Sequence, residues 1–226
     1  MTTRVLQVSA RTPEPEIIEE AAAVIRAGGL VAFPTETVYG LGADGLNEAA
    51  VRRIFAAKGR PEAKGLILHL SAPAQVREVA QVSPMAERLM EAFFPGPLAL
   101  VLPALPVVPA VTTGGGATVA VRMPHHAVAQ ALIAAASRPI AAPSANPSGA
   151  PPSRTAAETL AGLNGRFDLL LDAGPTPLGT PSTLLDLTHA PPRLLRLGAV
   201  PPEEIERVLG IQVFEYSGIQ DPGPNT

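Results

Sequence analysis

The chain has 226 residues, near the upper end of what one hydrophobic core organises. Its composition, 46% hydrophobic against 16% charged, excludes wholesale disorder, because such a chain can offset its ordering entropy by burial. The net charge of −3 excludes a global field drawing it onto nucleic acid, and the absence of Cys excludes disulfides, thiolate nucleophiles and zinc–sulfur sites.

The N-terminal segment has no basic start followed by an apolar run, so no signal peptide is expected. Apolar stretches such as residues 98–102 are interrupted by proline within a few positions, far short of a membrane span. A soluble, cytoplasmic protein without a membrane partner is the expectation. Thr12-Pro13 followed by Glu14 and Glu16 predicts a helix start: a capping hydroxyl, a first-turn proline and acids at the positive end of the dipole. Ile17, Ala21, Val24 and Ile25 recur at helical spacing, and Arg26 with Gly28-Gly29 closes the element. Residues 30–33 are a short apolar run ending at Pro34, the pattern of a buried strand.

Gly40-Leu-Gly42-Ala-Asp-Gly45 then matches the G-x-G-x-x-G dinucleotide fingerprint. Six residues separate Phe33 from Gly40 where a tight turn is required, and no acidic residue closes a second strand about twenty positions on. A nicotinamide-dinucleotide site is rejected, and a glycine-rich turn is expected. Residues 48–58 predict a helix with Val51, Ile54 and Phe55 on one face; 66–70 predict a strand; 76–80 and 85–94 look helical. Pro95-Gly96-Pro97 breaks the chain before a strand at 98–102. Strand-like runs continue at 118–121, 140–142, 169–171, 183–187 and 194–197, with helices at 127–136, 155–163 and 203–209. About seven or eight strands interleaved with helices argue an α/β domain on a mixed sheet, since several are separated by short turns. After Gly210 periodicity is lost, and residues 211–226 read as a flexible tail or linker stub.

Many of the 26 prolines sit beside hydroxyl residues at strand ends: Pro34-Thr35, Pro143-Ser144, Pro147-Ser148, Pro151-Pro152-Ser153 and Pro181-Ser182-Thr183. Rigid strand-end loops are where open α/β sheets carry ligands. No phosphate-loop, zinc-protease, serine-hydrolase or kinase motif is present. Among the histidines, only the adjacent pair His125-His126 is close in sequence, and a solvated turn is expected there rather than a metal site. His69 ends a buried apolar strand and needs a polar partner, which a ligand carboxylate or hydroxyl could supply.

Cations carry the stronger signal. Lys58, Arg60 and Lys64 gather on one loop, Arg122 ends an apolar strand, and Arg196 interrupts a run of leucines. An arginine in an apolar strand is costly unless paired, and its guanidinium suits carboxylate or phosphate. A structural Arg–carboxylate pair is the plain alternative at each position. Several such sites with few nearby carboxylates favour an anionic ligand.

Six blocks then occur in order: Phe33-Pro-Thr-Glu-Thr-Val-Tyr-Gly-Leu-Gly42, Lys58-Gly-Arg-Pro61, Phe94-Pro-Gly-Pro97, Val119-Ala-Val-Arg-Met-Pro124, Ala142-Pro-Ser-Ala-Asn146 and Pro181-Ser-Thr183. Together they resemble the YrdC-type L-threonylcarbamoyladenylate synthases, which make the activated intermediate for threonylcarbamoyladenosine in tRNA. The resemblance implies a YrdC-like catalytic domain over residues 1–210 in the single-domain form, with 211–226 as tail or stub of the linker that longer members carry. It implies a twisted mixed sheet with flanking helices around a positively charged cavity. Lys64-Gly65 stands where the family commonly has Asn-Pro or Lys-Pro.

By the same resemblance, Thr35, His69, Arg122, the backbone at Ala142, and Ser182 would hold L-threonine. Arg60, Lys64, Thr118, Ser144, the Pro152/Ser153 turn and Arg196 would hold ATP, accompanied by Mg²⁺, with Lys58 and Arg60 as the catalytic cations near the phosphates. The implied reaction joins L-threonine, bicarbonate (or CO₂) and ATP into L-threonylcarbamoyladenylate and pyrophosphate. It requires no protein nucleophile, only cations that bring anions together. Contact with tRNA or double-stranded RNA, and a downstream threonylcarbamoyl transferase complex, are the implied partners. A non-catalytic RNA-binding protein of this fold is the alternative; Lys58, Arg60, Ser144 and Asn146 as a set favour the enzyme. A carbamoyl-transfer role like that of hydrogenase-maturation proteins is disfavoured, because the acylphosphatase and zinc-finger segments of those proteins are absent from these residues.

Overall fold

The structure, a computed structural model, describes residues 2–215. Its strands are β1 (Arg4–Gln7), β2 (Val31–Pro34), β3 (Tyr39–Asp44), β4 (Ile67–His69), β5 (Leu98–Pro103), β6 (Thr118–Arg122), β7 (Ile140–Ala141), β8 (Leu169–Asp172), β9 (Thr183–Asp186), β10 (Arg193–Arg196) and β11 (Phe214–Glu215). The helices are α1 (Pro15–Arg26), α2 (Glu48–Lys58), α3 (Val76–Val79), α4 (Pro84–Phe93), α5 (Ala110–Thr113), α6 (Ala127–Ala136), α7 (Ala156–Leu163) and α8 (Pro202–Leu209). The strands join in the order β1-β8-β2-β3-β7-β4-β6-β5-β9-β10-β11. Parallel pairs such as β4–β6 and β5–β9 alternate with antiparallel pairs such as β2–β3 and β5–β6, so the expected mixed α/β sheet is borne out.

Strand parity assigns the faces. In β2, Val31 and Phe33 join Ile18 and Ile25 of α1 and Val128 and Leu132 of α6, while Ala32 joins Leu41, Ile54 and Phe55 in a second core. A strand covered on both sides needs no polar alternation, which is why 30–33 reads as an unbroken apolar run. In the other half of the sheet, Leu68, Leu100, Val119, Val121 and Leu185 belong to that second core, with Leu89 of α4 and Ile205 and Leu209 of α8. Their alternates Ile67, Val101, Ala120 and Leu184 must point the opposite way, and they line a cavity.

Four expectations need correction. The helix α1 starts at Pro15, because Thr12 N–H bonds to Ser9 Oγ and Glu14 takes the N-cap position while its carboxylate accepts from Ser9 N–H. The presumed glycine-rich turn is the buried strand β3, paired antiparallel with β2 and β7. Its glycines serve close packing: a Cβ on Gly42 would lie 2.7 Å from both Ile140 and Phe33, so only glycine lets these strands meet. His126 is the N-cap of α6, its Nδ1 accepting from Val128 N–H at 3.2 Å, rather than part of a solvated turn. Residues 214–215 pair with β10, whereas the proposed tail beyond them, 216–226, lies outside the described residues. No helix among the described residues is long and apolar enough to cross a membrane.

Candidate active site

The cavity, about 360 Å³, has the sheet itself as its floor. Thr118, Ala120 and Arg122 alternate along β6 and share one face, and register pairs Ile67 with Ala120 and His69 with Arg122. From β10, Leu195 and Arg196 both line the cavity, although neighbours on a regular strand face opposite ways. A register shift between Leu194 and Arg196 makes this geometry available. The β2–β3 connection supplies Thr35 and Thr37; the segment after β7 supplies Ala142 and Ser144; Ser182 precedes β9. Arg60 arrives because α2 ends in a left-handed residue, Gly59 at φ 64°, after which the chain folds back and Arg60 N–H bonds to the Phe55 carbonyl at 3.0 Å.

Arg122 is 3% exposed and multiply held. Its Nε donates to the Gly96 carbonyl at 3.1 Å and Nη1 to Thr37 Oγ1 at 3.0 Å. Its Nη2 lies 2.7 Å from Glu36 Oε2, an ion contact without the angle of a hydrogen bond, so neither Glu36 oxygen gains a hydrogen-bond partner. The expectation that nearby carboxylates are too few is thereby corrected: Glu36 is the partner. It lies inside the Thr35-Glu36-Thr37 run, and a lone acid in so apolar a neighbourhood was the available signal.

Proton bookkeeping extends this network. Thr35 Oγ1 donates its only proton to the Val38 carbonyl at 2.7 Å, so the 2.8 Å contact with Thr37 Oγ1 must be donated by Thr37. Thr37 in turn accepts from Arg122. Thr35 Oγ1 also accepts from the backbone N–H of Thr37 at 3.2 Å and of Val38 at 3.3 Å, so both its proton and its lone pairs are engaged within the β2–β3 connection. Ser182 differs, since its Oγ accepts from Arg196 Nη2 at 3.0 Å and its own proton has no acceptor among the described residues.

His69 lines the cavity and is fully enclosed; burial, then the charge of Arg122, push its pKa down to about 3, so it is neutral. Its Nδ1 is buried without a hydrogen-bond partner. Arg196 stands at the rim, its Nε on the Ser182 carbonyl at 3.0 Å; desolvation by the wall, then Arg122 and Arg60, hold its pKa at about 10. It remains charged at neutral pH.

Of the residues expected in the site, Thr35, Arg60, His69, Thr118, Arg122, Ala142, Ser144, Pro152, Ser182 and Arg196 line this one cavity. Three do not. Lys58 is buried, with its ammonium on the carbonyls of Ser144 and Asn146. Ser153 is buried and donates to the Ala145 carbonyl at 2.8 Å. Lys64 is exposed on the loop before β4 and is not a lining residue, although its neighbour Gly65 is and its carbonyl accepts from Arg60 Nε at 3.3 Å. Among the described residues no three His, Cys, Asp or Glu side chains gather as a metal site, so the side chains present do not fit a resident metal.

Fold and site define an α/β protein whose mixed sheet is covered by core on both faces in one half and, in the other, carries core on one face and a cavity lined by arginines, hydroxyls and apolar side chains on the opposite face. The Sua5/YciO/YrdC family model, described as "Telomere recombination", matches residues 23–198, and the chain belongs to this family. It is 52% identical to the threonylcarbamoyl-AMP synthase of Pyrococcus abyssi, covering 92% of this chain and 61% of that one. It is 46% identical to the threonylcarbamoyl-AMP synthase of Bacillus subtilis, covering 88% of this chain and 58% of that one. The crystal structure of P. abyssi Sua5 complexed with L-threonine superposes with a TM-score of 0.90 at 51% identity, over 93% of this chain and 62% of that one. The chain thus spans about 60% of the length of these relatives.

Proposed function

We propose that the chain is an L-threonylcarbamoyladenylate synthase that converts L-threonine, bicarbonate and Mg²⁺–ATP into threonylcarbamoyl-AMP, pyrophosphate and water. One observation carries this reading: the side chains expected for an amino acid (His69, Arg122, Ser182) and those expected for a nucleotide (Arg60, Thr118, Ser144, Arg196) border the same cavity. A reaction that joins two anions needs such a shared space and no protein nucleophile.

The charges divide suitably. Arg122 and Glu36 neutralise each other, so that corner suits a zwitterionic amino acid, with Ser182 free to donate and neutral His69 Nδ1 unpartnered. Arg60 and Arg196 border the part of the cavity where the phosphates would lie. The threonine amine becomes a carbamate; its oxygen attacks the α-phosphorus and pyrophosphate departs, with the arginines stabilising the charge that leaves. Magnesium enters with the nucleotide as substrate.

The RNA-binding alternative is disfavoured by the exterior arginines. Arg4, Arg26, Arg52, Arg53 and Arg77 are each tied to a carboxylate, so the charge of these five side chains is already neutralised. Pyrophosphate release measured with each of the twenty amino acids tests the proposal. Release dependent on threonine and bicarbonate is the expected result; none with any amino acid would overturn it. Delivery of the product to a threonylcarbamoyl transferase, acting on tRNA in the cytoplasm, belongs to the same proposal.

A further inference from the structure

Lys58 ends α2 at 3% exposure, and among the described residues no carboxylate pairs with it. A buried ammonium is costly without compensation, and desolvation, then the charge of Arg60, lower its pKa to about 7. In place of an acid it has two main-chain carbonyls, those of Ser144 and Asn146. The helix end grips the same loop a second time, since Ser148 N–H donates to the Lys58 carbonyl at 2.9 Å.

The loop so held is the wall of the cavity. Beyond the two residues of β7 it has no regular structure, yet Ala145 N–H reaches the Tyr39 carbonyl at 2.7 Å and Tyr39 N–H reaches the Ser153 carbonyl at 2.9 Å. Ser144 and Pro152 face the cavity from it. A carbonyl that points at Lys58 cannot also point at a ligand.

We propose that Lys58 is a positioning residue for the nucleotide, acting through residues 142–153. Its ammonium draws the Ser144 and Asn146 carbonyls back from the cavity, so that an anion meets the Ser144 hydroxyl instead of carbonyl oxygens, and the anion's charge in turn favours the protonated lysine. This rests on reading the cavity as a nucleotide site, and it replaces direct contact between Lys58 and the phosphates.

Linkage gives the sign. An anion raises the Lys58 pKa, so binding above about pH 7 takes up a proton and affinity falls as pH rises. Other charges near α2 do not share this role. Asp44, on β3, precedes the start of α2, about three helical turns from Lys58, and contacts Arg138; Arg166 caps the Ala57 carbonyl; α5 carries no titratable group. Arg60 adds its own positive charge beside Lys58.

The test is calorimetric titration of the full chain with magnesium and α,β-methylene-ATP between about pH 6 and pH 9, in buffers of differing ionisation enthalpy. Wild-type protein should bind with proton uptake and weaken as pH rises. Lys58→Met should bind on the order of ten-fold more weakly at the acid end and lose the uptake, and Lys58→Arg should keep affinity with a flat profile. Equal affinity and equal uptake in Lys58→Met would overturn the clamp, as would a loss of thermal stability alone with uptake intact. If Lys58→Met does not fold, the comparison of wild type with Lys58→Arg decides, and identical uptake overturns the proposal. Wild-type protein that binds no analogue would instead overturn the nucleotide reading itself, and this inference with it.

Discussion

The Arg122 guanidinium sits 2.7 Å from Glu36 Oε2, with both side chains less than a tenth exposed. A buried pair of this kind contributes little net stability against an apolar replacement, yet breaking it from one side strands a charge. Its geometry is therefore better explained by what it holds in place than by what it adds to the fold.

Glu36→Gln is predicted to lower the melting temperature, since a one-sided break of a buried pair costs about 3–5 kcal/mol. Threonine should then stabilise the variant more than it stabilises wild type, because its carboxylate supplies the missing charge. Thermal melts with and without threonine measure this. An equal threonine-induced shift in both proteins would mean that the ligand carboxylate does not reach Arg122.

Arg122→Met should abolish threonine binding, a loss of about 2–5 kcal/mol for a buried charge-assisted contact. It also leaves Glu36 buried and unpaired, so the single variant should be unstable. Combining it with Glu36→Gln should restore the melting temperature without restoring affinity. Threonine binding by the stable double variant, seen in calorimetry, would remove Arg122 from the site.

His69 gives a pH signature. Its pKa in the folded protein is about 3 against about 6.5 when unfolded, so between those values the unfolded chain binds the extra proton. Stability should fall as pH drops through that window and be unaffected by this group above it. His69→Gln should flatten part of the slope. Parallel denaturant titrations at several acid pH values compare the two, and identical slopes would show that His69 is not neutral in the fold.

Ser182 is the hydroxyl with a proton to give, whereas Thr35 has committed its own. Serine should be a weak substrate, because a methyl-sized difference discriminates by about 10–200-fold, and valine should be close to inert. Ser182→Ala should narrow the threonine-over-valine ratio by weakening threonine. Steady-state pyrophosphate release with the three amino acids measures it; valine turning over as well as serine in wild type would show that the hydroxyl is not read.

Elements covered on both faces or strongly periodic were legible, as at 30–33, 48–58 and 98–102. β3 was not, because glycines chosen for close strand approach look like turn residues. β1 was not, since an edge strand mostly exposed to solvent carries no apolar alternation. In the site, charge in an apolar strand singled out Arg122 and Arg196, and both line the cavity. Neither the pairing of Arg122 with Glu36 nor the clamp at Lys58 was visible, because both depend on loops brought together by the sheet order.

Floor and core in this half of the sheet are written on alternate residues of the same strands. Ala120 and Leu184 can thus be exchanged to reshape what fits above the sheet while Val119, Val121 and Leu185 keep their neighbours beneath it. An insertion of one residue in β6 has no such freedom: it would turn Arg122 into the greasy layer and present valine to the ligand. Drift in this lineage can retune preference by point changes along the strands, but length changes there are confined to the loops.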